Sequence, residues 1–172
     1  DKISSIDSNN FNSNGISVSN TARLLDPTSN EITLGGNKVA AKSSDGSTTP
    51  TIQGANDNTN FQIDSNEKEV TIKCDDKTVP NNVKISTGSN TEKVVFDKSW
   101  NGVTNPEGVT VNLANSNTEL NTEMLTLPNV TFTVNGSPRD KGELNVVENK
   151  ASLTGELGFF IFLGIFAFVL VL

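Results

Sequence analysis

The sequence has no histidine and no tyrosine, and it contains a single cysteine, Cys74. Without histidine, the chain lacks the commonest general base and the commonest metal ligand of proteins. One cysteine excludes a disulfide within the chain, although small secreted domains usually carry several. The sequence also lacks a nucleophile elbow, a phosphate-binding loop and any metal-ligand spacing. We therefore expect no enzyme, no cofactor and no metal site.

Basic residues are few: 13 Lys and Arg stand against 20 Asp and Glu, which gives a net charge of −7. Because nucleic-acid binding requires patches of Lys and Arg, we expect no nucleic-acid partner. Large apolar residues are also scarce before residue 157, where the only aromatics are Phe11, Phe61, Phe96, Trp100 and Phe132. We expect such a thin core to depend on backbone pairing or on neighbouring subunits.

The last sixteen residues, 157–172, read LGFFIFLGIFAFVLVL and contain no charge. As a helix they would extend about 24 Å, which is short of the roughly 30 Å hydrocarbon core of a bilayer. No Lys or Arg follows them, as would be usual for a single-pass protein. The residues that we predict to serve in assembly or anchoring are Leu157, Phe159, Phe160, Phe162, Ile165, Phe166, Phe168, Leu170 and Leu172.

Three roles fit this apolar segment. It has the character of a signal for a GPI lipid anchor, with the attachment site within residues 149–152. It also fits a membrane tail that is kept in the mature protein. The third role is a packing element inserted into neighbouring subunits, as a helix or as a strand added to a sheet edge. A soluble monomer would aggregate with so much apolar surface in water, and this favours the third role.

Between residues 61 and 134, apolar and polar residues alternate with the period of two that is typical of half-buried strands. Turn-rich stretches separate the runs. The predicted fold class is all-β, a β-sandwich of antiparallel strands, with a stacked β-solenoid as the alternative. The alternating residues are Phe61 and Ile63; Val70, Ile72 and Cys74; Val83 and Ile85; Val94 and Phe96; Val109, Val111 and Leu113; Leu125 and Leu127; Val130, Phe132 and Val134.

Turn residues predict hairpins elsewhere in the chain. Asn14-Gly15 and Asn135-Gly136 are strong hairpin signals because both turn positions favour a positive φ. Gly35-Gly36 predicts a turn between strands at 31–34 and 38–41. Leu144 and Val146 predict a last strand.

Two stretches are expected to depart from this strand pattern. Residues 21–25 are expected to form a helical turn ended by Asp26-Pro27, and residues 115–123 a short helix or a long loop. The predicted organisation is a polar, strand-rich extracellular domain at 1–156, with a linker or exposed loop at 42–60, and the hydrophobic segment at 157–172.

Polar candidate sites are few. Asn129 and Asn135 begin acceptor sequons for N-linked glycosylation. Residues 56–58, Asn-Asp-Asn, offer oxygen ligands for Ca²⁺, but they lack the EF-hand spacing, so a solvated loop is expected. A solvated turn is likewise expected for Asp75-Asp76.

Cys74 and Trp100 are each the only residue of their type. Cys74 is predicted to be a small apolar residue buried on a strand. Trp100 is predicted to cap one end of the core, with an exposed adhesive residue as the alternative.

Residues 64–76, DSNEKEVTIKCDD, with 77–81 and the later LTLPNVTFT at 125–133, resemble the β-sandwich surface antigens of apicomplexan parasites. The resemblance covers less than half of the chain, and it implies a surface adhesin with a GPI signal. Those antigens depend on several disulfides, whereas this chain has only Cys74, so no functional residue is carried over.

The chain begins at Asp1, which favours an extracellular protein whose signal peptide has been removed. Taken together, the sequence predicts a structural subunit of an extracellular filament or sheath, which associates with itself through the hydrophobic segment. The alternative is a cell-surface adhesin or antigen held by a GPI anchor or by membrane lipid.

Overall fold

The computed structural model describes residues 5–6, 11–12, 15–16, 21–52 and 60–148, and it describes side chains within 24–47, 51–52 and 60–148. These residues form two seven-stranded sheets and one separate pair of strands. The strands are β1 (Ser5–Ile6), β2 (Phe11–Asn12), β3 (Gly15–Ile16), β4 (Thr21–Leu25), β5 (Ser29–Gly35), β6 (Lys38–Ser43), β7 (Thr48–Ile52), β8 (Asn60–Ser65), β9 (Glu69–Cys74), β10 (Val83–Thr87), β11 (Lys93–Phe96), β12 (Val109–Leu113), β13 (Glu119–Thr122), β14 (Thr131–Val134), β15 (Ser137–Arg139) and β16 (Asn145–Val147).

The chain winds back and forth between the two sheets. The first sheet has the order β1-β4-β8-β10-β12-β14-β15, and the second has the order β16-β13-β11-β9-β5-β6-β7. Each coil therefore places one strand in each sheet, and the next coil lies beside it. The coils are β4 with β5, β8 with β9, β10 with β11, β12 with β13, and β14 with β16.

Strands of successive coils are parallel in both sheets, as in the pairs of β8 with β10 and of β9 with β11. The sequence-based prediction of antiparallel neighbours is wrong for these pairs, and a sandwich is not confirmed. The alternation of apolar residues reports which face of a strand is buried, but it does not report the direction of the neighbouring strand. Direction follows from the connections, which here cross to the other sheet. This winding is that of the stacked coils in the alternative prediction.

The core consists of apolar rows that run across the coils. Leu24, Ile63, Ile85, Val111 and Phe132 are successive partners in the first sheet, and none is more than 2% exposed. The parallel register places equivalent residues side by side, so each coil must supply an inward apolar side chain at the same position. The facing row in the second sheet is Val70, Val94, Leu120 and Val146.

Outward positions of the second sheet carry polar rows. Glu69, Lys93, Glu119 and Asn145 are successive partners. The Lys93 Nζ lies 3.7 Å from a Glu69 carboxylate oxygen. Such exposed pairs contribute about 0–1 kcal/mol each, so they distinguish the outer face more than they stabilise it.

Antiparallel strands occur where the sheets end. β6 folds back on β5 through Gly36, whose φ is +55°, and β7 then pairs with β6. At the other end of the first sheet, β15 folds back on β14 through Asn135 and Gly136, with φ values of 48° and 82°. The hairpin predicted from Asn135-Gly136 is therefore confirmed. The early hairpin also has the expected pairing, since Phe11 of β2 lies opposite Ile16 of β3.

Three local predictions are wrong. Residues 21–25 form strand β4 and not a helical turn, because pairing with β8 overrides local propensity. Part of the 42–60 stretch, Thr48–Ile52, is strand β7 rather than loop. Glu119–Thr122 is strand β13, where a helix or loop was expected, and Leu125 and Leu127 lie in a turn and not on a strand.

We predict that Ile85→Ala will lower the free energy of unfolding by about 2–5 kcal/mol, because Ile85 is fully buried in the middle coil and both neighbouring coils pack on it. Urea denaturation of the purified protein measures the change. Lys84→Ala is the matched control, since Lys84 is the exposed neighbour on β10. An equal loss in both variants would contradict the assignment of the row as core.

Candidate functional sites

A groove of about 660 Å³ lies between the turn that follows β11 and the turn that follows β13. Its apolar walls include Met124, Leu125 and Leu127, and Leu125 is 51% exposed. Lys98 and Glu123 also line it, and the backbone N–H of Lys98 donates a hydrogen bond to a Glu123 carboxylate oxygen at 3.3 Å. The groove therefore offers contact surface to an apolar ligand.

Trp100 forms part of the groove wall and belongs to the core. It is 2% exposed, its Nε1–H donates to the backbone oxygen of Ile72 at 2.7 Å, and its ring meets Phe96 edge to face at 5.4 Å between centroids. The expectation that Trp100 caps the core is confirmed, and the alternative of an exposed adhesive residue is wrong. An indole N–H that is buried needs such a partner.

A short 3₁₀ turn, Lys98–Trp100, positions this tryptophan. Asp97 caps the turn, because its Oδ1 accepts the backbone N–H of Ser99 at 3.0 Å and also the Ser99 hydroxyl. The Ser99 Oγ in turn accepts the backbone N–H of Cys74 at 2.8 Å. The turn therefore ties one coil to the coil before it.

Cys74 is 1% exposed at the end of β9, as predicted, and its thiol donates to the backbone oxygen of Thr78 at 3.3 Å. Burial raises the pKa of the Cys74 thiol above its ordinary value of 9.0, because the thiolate would lose its hydration. A thiol held neutral in this way is a poor nucleophile. Cys74 is thus a packing residue.

Both sequon asparagines are exposed. Asn129 lies at the groove, before β14, and Asn135 occupies the left-handed turn between β14 and β15. Asp75 and Asp76 are exposed in the turn after β9, as expected. Residues 56–58 and the nine residues proposed for assembly or anchoring lie outside the described part of the chain.

Asparagines that join the coils were not identified as such from the sequence. The Asn105 side chain bonds both backbone groups of Val79: its Oδ1 accepts the N–H at 2.9 Å and its Nδ2 donates to the oxygen at 2.8 Å. Asn90 makes a similar pair of bonds with Asn66, and a Cβ on Gly88 would overlap the Asn66 side chain. The signal was present in the asparagine-rich turns, which were interpreted only as turn formers.

Chemistry is not supported by what these sites contain. Among residues 24–47, 51–52 and 60–148, no three His, Cys, Asp or Glu side chains are grouped to hold a metal ion. Comparison with known proteins gives no match: no family model fits the chain, and no curated protein and no solved structure is similar to it. Within the described residues, no helix has the length and apolarity required to cross a bilayer.

The raised pKa of Cys74 predicts a dependence of stability on pH. The thiol ionises at lower pH in the unfolded chain than in the folded chain, so stability is fully present below pH 9.0 and falls as the pH rises towards the folded pKa. Urea denaturation at two pH values, below and above this range, measures the loss. The Cys74→Ala variant should lack this component, and an identical pH dependence in the two proteins would contradict it.

We predict that Asn105→Asp will destabilise the protein by about 1–3 kcal/mol, because the carboxylate cannot donate to the buried carbonyl of Val79. Thermal unfolding followed by the fluorescence of Trp100 measures the effect. The matched control is Asn101→Asp, an isosteric change at an exposed position on the same connection. A comparable loss at both positions would show that added negative charge, and not the lost donor, is the cause.

Proposed function

We propose that the protein is a structural subunit of an extracellular filament or sheath, in which residues 157–172 pack against the same residues of other copies. The observation that carries this proposal is the completeness of the coil core. Its inward positions are filled by the chain's own side chains, and its apolar rows continue from β4 to β14 and from β5 to β16. The apolar segment therefore needs another apolar environment.

The coils suit a structural role. We infer that they form a short β-solenoid, in which each coil contacts only its neighbours and backbone ladders run along the whole stack. The polar outer rows are compatible with a surface that faces water, and the exposed asparagines of both sequons are accessible to a glycosylating enzyme. The proposal assigns no reaction to the protein and no nucleic-acid partner.

The alternative is a surface adhesin or antigen held by membrane lipid or a GPI anchor. The self-contained core also favours this role, because a domain that closes its own core stays folded when it is tethered by one end. It removes one argument for the filament, since the expectation of a thin core that needs neighbours does not hold for the coils. The two proposals differ only in what surrounds residues 157–172.

We predict that the full chain, without detergent, will form filaments or sheets visible by negative-stain electron microscopy. A chain ended at residue 156 should remain a small soluble particle with an unchanged circular dichroism spectrum, because the coils complete their own core. Phe162→Asp with Phe166→Asp is the matched control for the deletion, since it keeps the length and removes the apolar character. We expect it to abolish the polymers as well.

Addition of lipid vesicles distinguishes the two roles. Full chains that float with vesicles and form no polymer in their absence would support the anchored alternative. Polymers formed equally well by the chain ended at 156 would overturn the assignment of assembly to residues 157–172.

A further inference from the structure

Three of the four sheet ends are closed by an antiparallel strand among the described residues. β1 closes the first sheet on the side of β4, and β15 closes it on the side of β14. The hairpin of β6 and β7 closes the second sheet on the side of β5. Two of these outermost strands contain proline, at Pro50 in β7 and at Pro138 in β15. Proline on an edge strand opposes the addition of another strand.

The fourth end is different. β16 (Asn145–Val147) is the outermost strand of the second sheet in the described part of the chain, and it pairs in parallel with β13 on its inner side. It contains no proline, lysine or arginine. In a parallel pair, alternate residues direct their backbone N–H and C=O groups away from the neighbour. β16 therefore presents backbone groups without the usual protection of an edge.

Exposed apolar side chains occur at the same end. Among the described residues, Leu125 and Val147 are the large apolar side chains with high exposure, at 51% and 43%. Val147 lies on β16, and Leu125 follows the neighbouring strand β13 by three residues. The charged row Glu69, Lys93 and Glu119 also changes character at this strand, because its last member is the neutral Asn145.

We propose that β16 is the edge through which two copies of this chain pair in antiparallel orientation, extending the second sheet from one copy into the other. Charge favours this partner and this direction. With Val146 opposite Val146 of the second copy, Asn145 lies opposite Val147, and Leu144 lies opposite Glu148. A parallel alignment in register would instead place Glu143 and Glu148 opposite their own counterparts, which is destabilising.

This interface is separate from residues 157–172, so the inference goes beyond the proposed filament. A two-fold pair formed at β16 closes on itself and is complete with two copies. Residues 157–172 would then join pairs rather than single chains. The two contacts are distinguishable because detergent disperses apolar segments but leaves a backbone ladder between strands in place.

The test measures the mass of the full chain by analytical ultracentrifugation in a mild detergent, over a range of protein concentrations. We expect a reversible equilibrium between monomer and dimer. Val147→Lys should weaken the dimer at least about tenfold, because each copy then brings an ammonium group to the shared edge. Thr71→Lys is the matched control, since Thr71 lies in the same outward row three strands from the edge, and it should leave the equilibrium unchanged.

Hydrogen exchange of the β16 amides is the second measurement. Protection that rises with protein concentration in step with the dimer supports the pairing. Protection that is complete in the monomer would overturn it, because the chain's own residues would then cover the edge. A monomer at every concentration, or a dimer that Val147→Lys leaves intact, would also overturn it. Loss of filaments without loss of the dimer would refute the proposed function alone.

Discussion

The structure depends on one constraint, the parallel register that holds each strand beside its equivalent in the next coil. Backbone hydrogen bonds fix the spacing of neighbouring strands at about 4.8 Å, so side chains at equivalent positions stack directly on one another. One polar residue at an inward position would therefore interrupt a row shared by several coils. Leu24, Ile63, Ile85, Val111 and Phe132 keep one such row apolar from end to end.

The turns satisfy a second requirement, because the chain must leave each sheet and enter the other without abandoning backbone groups. Asparagine side chains do much of this, as Asn105 does for Val79 and Asn66 for Asn90. Ser99 and Trp100 serve the same purpose after β11 by bonding the backbone of β9. Small polar side chains in the turns thus link coils that the apolar rows link in the core.

The strands and the core residues could be predicted from the sequence, because Phe61 with Ile63 or Val109 with Val111 report burial through their alternation. The direction of pairing could not, since it depends on whether a connection returns to the same sheet, and turn residues signal this only for tight hairpins such as Asn135-Gly136. Strand β4 was missed because its pairing with β8 is non-local. The bonds of Asn105 were missed because turn-forming asparagines look alike in sequence. The residues expected to serve in assembly lie beyond the described coils, where the sequence pattern remains the only guide.

The diagonal arrangement of the end strands makes the two ends of the stack unlike. The β6–β7 hairpin lies at one end on the second sheet, and β15 lies at the other end on the first sheet. Since each coil contacts only its neighbours, order can spread along the stack one coil at a time, as in a zipper. β5 and β6 form the most local pairing at the start of the second sheet, joined at Gly36, and can serve as the template on which β9 first aligns. The stack then has a natural direction of growth, from the end that is sealed to the end where β16 lies at the margin.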